Sequence, residues 1–127
     1  GVAISAFGGE YKQPNVMWTT DNMGADSHAS KLEKHETTLA PPNYTDSFNG
    51  TSAAAPQISG AIALMLERNP RLGYRDVKEI LMRTANREGL QGKDEFVKNG
   101  ADFVLSHSFG AGLVNVSAAL ELAPRWT

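Results

Sequence analysis

Asn49-Gly50-Thr51-Ser52-Ala53-Ala54-Ala55-Pro56 brings together the residue types needed for an exposed nucleophile on a rigid support. A serine in the first turn of a helix lies against backbone N–H groups without helical partners and at the positive end of the helix dipole. An oxyanion forming there is stabilised. Gly50 lets the backbone turn sharply and keeps a side chain out of the approach to the serine. Pro56 is acceptable on the expectation that early helical positions have no partner for their N–H groups. The plain alternative is a Thr-Ser pair that only caps an apolar helix and satisfies two backbone donors. On the residues alone, both readings stand.

The elements that must hold this segment follow from the flanking pattern. Val2 to Phe7 is apolar with some alternation and stops at Gly8-Gly9, as a buried strand closed by a turn would. Val16 to Thr20 is a second strand candidate, ended by Asp21-Asn22. Residues 21–49 are polar and charged and include Pro41-Pro42-Asn43, so they read as an exposed connection with a helical turn around Ser30 to His35. A connection of that length inside a domain is usually functional or mobile. Ala53 to Leu66 is apolar almost all round, the pattern of a helix buried on every side, and Asn69-Pro70 ends it. Tyr74 to Ala85 is amphipathic, with Val77, Ile80, Leu81 and Thr84 on one stripe. Phe103 to Leu105 and Gly112 to Val114 flank a glycine-spaced turn, as the arms of a hairpin would. Asn115 offers an N-cap to a last helix, Val116 to Leu122. Strands mixed with a central helix indicate an α/β layered architecture.

Composition narrows the function classes. The 127 residues carry 12 basic and 14 acidic side chains, 41% hydrophobic residues and no cysteine. A net charge of −2 lacks the basic footprint of a nucleic-acid binder. No apolar stretch reaches the roughly 18 residues of a membrane span, and no signal-peptide pattern opens the chain. The absence of cysteine excludes a disulfide framework, a thiol nucleophile and thiolate metal sites. The length suits a single domain, yet a helix buried on all sides demands layers around it.

GTSAAAP, continuing into QISGAIALMLERNP and then DVKEILMRTA, resembles the nucleophile segment of the subtilases, the subtilisin-like serine proteases. VMWTTD, Val16 to Asp21, is similar to the strand that family places upstream of its serine. SHSFGAGLVN, Ser106 to Asn115, is similar to the closing hairpin of the kexin and proprotein-convertase branch. The resemblance runs through most of the chain and is weakest over residues 22–48.

The resemblance implies the carboxyl-terminal portion of a three-layer fold, with a mainly parallel sheet and a buried central helix starting at the nucleophile. Ser52 matches the nucleophile, which attacks a peptide carbonyl once a histidine takes its proton. The Ser52 N–H would be one oxyanion donor, assisted by the Thr51 hydroxyl. Asn49 and Gly50 would shape the approach, and Ala53 would face the leaving group. The family's aspartate, histidine and oxyanion asparagine precede the serine, and no motif for them occurs in residues 1–127. His28, His35 and His107 are read as surface or structural histidines. Because a serine without base and acid is a poor nucleophile, this chain alone is expected not to hydrolyse peptides.

The whole is therefore read as a serine-type endopeptidase whose amino-terminal part supplies acid, base and oxyanion asparagine. The alternative is a non-catalytic binding module on the same scaffold. Expected partners are a polypeptide substrate, the amino-terminal part of the catalytic domain, and a propeptide, chaperone or following β-rich domain. Trp126, near the end, would rest on such a domain or pack locally. The location implied is extracytoplasmic. No cofactor is expected in this chain. Calcium, which subtilases often bind, is considered at Asp21, Asp26 and Glu33, but their spacing forms no compact loop and no metal ligand is assigned. The Asn-x-Ser/Thr matches at Asn43, Asn49 and Asn115 are taken as coincidental.

Overall fold

The structure, a computed structural model, describes residues 2–9, 17–21, 44–90 and 94–127. The helical turn expected near Ser30 to His35 lies outside them. The chain forms two compact units, Phe7–Ala55 and Gly1–Ala6 with Pro56–Thr127.

In the first unit, β1 (Met17–Thr20) pairs antiparallel with β2 (Tyr44–Phe48), matching Met17 to Phe48, Thr19 to Thr45 and Thr20 to Tyr44. The register slips between Met17 and Thr19, as at a bulge, which re-aims the strand end. β2 corrects the expectation that residues 21–49 form one exposed connection. Asp46 and Ser47 interrupt the hydrophobic alternation that marks a strand, but Tyr44, Thr45 and Phe48 are good strand formers, and Thr45 is buried.

Helix α1 (Thr51–Arg68) is longer than the expected Ala53 to Leu66. Alanines support it locally, and Asn69-Pro70 ends it as expected. Ala53, Ala61 and Met65 are buried, while Ala63, Leu64 and Leu66 are exposed, Leu64 at 45%. The described residues thus cover one side of a helix whose sequence is apolar all round. A soluble helix leaves such a stripe open only where something else covers it.

The second unit is built on α2 (Tyr74–Thr84). Asp76 accepts the Gly73 N–H at 2.7 Å, closing the helix start, and the stripe Val77, Ile80 and Leu81 is buried as its spacing requires. Thr84, expected on that stripe, is half-buried and turns its hydroxyl back to the Ile80 carbonyl at 2.8 Å. Ile80 and Met65 are fully buried and pack with Leu72, Val77, Leu81, Ala119 and Ala123. Helix α3 (Val116–Leu122) starts at Asn115, whose Oδ1 accepts the Ala118 N–H at 3.1 Å. Asn115→Ala is expected to cost about 1 kcal/mol, read as a lower urea midpoint at unchanged slope.

The expected hairpin is corrected. β4 (Val104–Leu105) pairs antiparallel with β3 (Val97–Lys98), and not with residues 112–114. Asn99 makes the turn, its Oδ1 accepting the Ala101 and Phe103 N–H groups, while Asp102 takes a left-handed conformation. Leu113 instead bridges Ser5 in parallel and Asn86 in antiparallel fashion. Val2 to Phe7 is correspondingly an extended segment with one bridge, not a full strand. Ser5 exchanges bonds with the Gly112 carbonyl and the Val114 N–H, both at 2.8 Å, and Gly112, at φ +128°, leaves no room for a side chain beside the Asn86 carbonyl. The parallel character implied by the resemblance is represented among the described residues by that single bridge.

Two sets of side-chain hydrogen bonds, at buried Asn69 and half-buried Trp126, were not predicted from the sequence. Asn69 donates to the Ala123 carbonyl at 2.9 Å and the Trp126 carbonyl at 3.3 Å, and its Oδ1 accepts the Arg71 N–H. Trp126 donates its indole N–H to Asp76 at 3.2 Å and packs against the core. The local-packing reading of Trp126 holds within this chain.

Candidate active site

The segment read from the sequence as bearing the nucleophile is a strand, a tight turn and a helix. β2 delivers the chain to Asn49 and Gly50, and α1 begins at Thr51. Gly50 has φ +84°, a left-handed conformation that a residue with a Cβ adopts only at a cost. A methyl group there would meet nothing within 4 Å, so it is the backbone turn that requires glycine. The Gly50 N–H donates to the Gly8 carbonyl at 2.7 Å. Its own carbonyl accepts the Ala53 N–H at 3.0 Å and the Ala54 N–H at 3.3 Å, which closes the first helical turn.

Ser52 is the second residue of α1 and is exposed, as is Thr51, while Ala53 turns inward and is 3% exposed. Among the described residues no hydrogen-bond partner occupies the Ser52 hydroxyl. It accepts no backbone N–H of the helix start, and the Gly50 carbonyl takes those of Ala53 and Ala54, so the plain N-cap reading does not describe its side chain. Asn49 is half-buried at the strand end.

Pro56 behaves differently from the expectation. It is the sixth helical residue, beyond the turn in which a missing N–H costs nothing. The donor it lacks would have faced the carbonyl of Ser52, four residues earlier. The serine's own peptide is thereby released from one helical bond.

The site is incomplete among the described residues. The unit carrying Ser52 contributes no histidine there, and its carboxylates are Asp21 and Asp46. His107 is exposed in the turn between Ser106 and Gly110, a segment of the other unit. His28 and His35 lie outside the described residues, as do Asp26 and Glu33 of the calcium reading. Among the described residues no group of three or more His, Cys, Asp or Glu side chains is placed to hold a metal ion. No described helix is long and apolar enough to cross a membrane.

Gly8 is the one contributor to this geometry that sequence reasoning assigned elsewhere, as the end of a strand. The Gly8-Gly9 pair was the available signal, since adjacent glycines often mark a close approach of backbones.

Comparison with known proteins agrees with this architecture. The model of the subtilase family matches residues 2–112. Endoprotease bli-4 of Caenorhabditis elegans is 41% identical over 86 residues, covering 68% of this chain and 9% of its own length. Furin-1 of Xenopus laevis is 43% identical over 82 residues, covering 65% of this chain and 10% of its own. The chain therefore spans about a tenth of these relatives. The crystal structure of the Aeromonas sobria serine protease with its chaperone superposes with a TM-score of 0.67 at 29% identity, covering 94% of this chain and 25% of that one. The α/β fold is accordingly subtilisin-like, and the chain belongs to the subtilase family of serine proteases, in its kexin- and furin-like branch.

Proposed function

We propose that this chain is the carboxyl-terminal part of a serine endopeptidase catalytic domain, with Ser52 as the nucleophile. The observation that carries the reading is the exposed Ser52 on a strand–turn–helix support in a chain of the subtilase family. In the reaction, Ser52 Oγ adds to the peptide carbonyl as a histidine from the rest of the domain takes its proton. The Ser52 N–H and the family's asparagine receive the oxyanion, and Thr51 supports them. Collapse expels the amine, which takes the proton from the histidine, and leaves an acyl group on Ser52. Water then releases the acid by the reverse sequence of proton transfers.

Asn49 and Gly50 shape the approach of the substrate. The exposed Leu64 and Leu66 support the view that α1 is the central helix of a larger domain, completed by the amino-terminal part. A preference for basic residues before the scissile bond rests on the branch. The Aeromonas sobria protease was solved with a chaperone, which supports a chaperone or propeptide partner here. An extracytoplasmic location fits the same kinship.

Hydrolysis of fluorogenic peptides tests the reading. The complete protein is expected to cleave them, faster with arginine than with alanine before the bond, and the 127-residue chain alone to leave them intact. A complete protein that binds such peptides without cleaving them would establish the binding-module alternative instead.

A further inference from the structure

The nucleophile's helix does not hold its own starting point. Its first turn is closed by the Gly50 carbonyl, and the peptide just before it, between Asn49 and Gly50, is held by the bond from the Gly50 N–H to the Gly8 carbonyl. From the geometry we infer that Gly8 is a positioning residue for Ser52, acting through the Gly50 peptide. The inference rests on the proposed role of Ser52 and goes beyond it, since nothing in the nucleophile motif points to a residue so far upstream.

Two independent contacts converge on Gly50 from Gly8. The Gly8 carbonyl accepts the Gly50 N–H at 2.7 Å, and the Gly8 Cα lies so close that an added methyl would stand 3.0 Å from the Gly50 oxygen and 3.4 Å from its carbon. The oxygen that the methyl would press is the one that accepts from Ala53 and Ala54, the two residues that follow Ser52 in its turn. Gly8 itself is not in the left-handed region, so its own backbone accepts alanine without strain. The requirement for glycine is therefore one of contact with Gly50, and a side chain at Gly8 must move the Gly50 peptide by a few tenths of an ångström. Because Pro56 removes the helical donor opposite the Ser52 carbonyl, the serine's turn has fewer internal bonds to resist that push. Small displacements of a reacting atom matter, since a shift of about 1 Å costs on the order of 100-fold in rate.

The experiment compares the complete protein with its Gly8→Ala variant, using Gly100→Ala as the control. Gly100 lies in the exposed turn between β3 and β4, with nothing within 4 Å of an added methyl. Per enzyme titrated with an active-site reagent, Gly8→Ala is expected to lower kcat roughly 3- to 10-fold at a KM within about twofold, and Gly100→Ala to change neither. A merely less stable variant would titrate to fewer active sites and keep its kcat per site. Amide exchange supplies a readout independent of catalysis and, in the unsubstituted protein, of the variant's folding. In the unsubstituted protein the Gly50 N–H is expected to be protected, and in Gly8→Ala to exchange faster. An unprotected Gly50 N–H, or an unchanged kcat per titrated site, overturns the inference. A parent without hydrolytic activity refutes the proposed function alone, and Gly50 exchange in parent and variant then decides the role of Gly8.

Discussion

Replacing Ser52 with alanine in the complete protein is expected to lower kcat for peptide hydrolysis about a million-fold, the scale set by subtilisin-type enzymes when the nucleophile is lost. The size of the effect follows from what remains. Without Oγ no acyl-enzyme forms, and only substrate binding and the oxyanion donors are left to accelerate attack by water. KM is expected to change little, because Ser52 is exposed at the helix start and Ala53 already supplies the buried contact of that turn. The substitution is locally gentle: alanine is a good helix former, and among the described residues no hydrogen bond to the serine hydroxyl is lost. Circular dichroism and the melting profile should therefore overlay those of the parent. Retention of more than about a thousandth of kcat would place the nucleophile elsewhere.

The second large effect is one of stability. Ile80→Ala is expected to destabilise the unit of α2 and α3 by about 4 kcal/mol, toward the upper part of the range for such truncations. Ile80 is fully buried, and much of its surroundings is held in place. Ala119 and Ala123 are too short to reach it and sit in helical backbone. The remaining neighbours are held as well, because Asn69 ties the end of α1 to the Ala123 and Trp126 carbonyls, and Trp126 is bonded to Asp76. Ile80→Val, which removes one methylene, should cost about 1 kcal/mol. The check is the shift of the urea midpoint for the two variants. A loss under about 1 kcal/mol for the alanine would show that the cluster around Ile80 is not a packed core.

How far the sequence carried depends on the range over which each element is determined. α2 and α3 were legible because their signals are local: a stripe of Val77, Ile80 and Leu81 at helical spacing, and Asn115 as a cap. α1 was legible as an apolar helix, and the open side bearing Leu64 and Leu66 agrees with the need for covering layers. The strands were less so. β2 hides behind Asp46 and Ser47, and β4 pairs with Val97–Lys98 across the Asn99 turn while residues 112–114 bond to Ser5 and Asn86 instead. Both depend on hydrogen bonds that no hydrophobic period encodes.

The site divides in the same way. The turn into an apolar helix at Ser52 was legible because glycine, a hydroxyl pair and an apolar run stand side by side in the chain, and the proposed role of the serine comes from the resemblance to the subtilases. The bond between Gly50 and Gly8 was not, since it is made by backbone atoms of residues distant in sequence. Pro56 shows the limit of positional reasoning. Its place was judged by nearness to the helix start, but with Thr51 as the first helical residue it falls one turn further in, opposite the Ser52 carbonyl.

The most direct measurement is peptide mapping by mass spectrometry after treatment with a fluorophosphonate, applied to the complete protein and to the 127-residue chain by itself. The expected result is a single adduct on Ser52 in the complete protein and none on the chain alone, because the serine is activated only when acid, base and oxyanion asparagine are supplied. Stoichiometric labelling of Ser52 in the isolated chain, or labelling of the complete protein at any other residue, would contradict it.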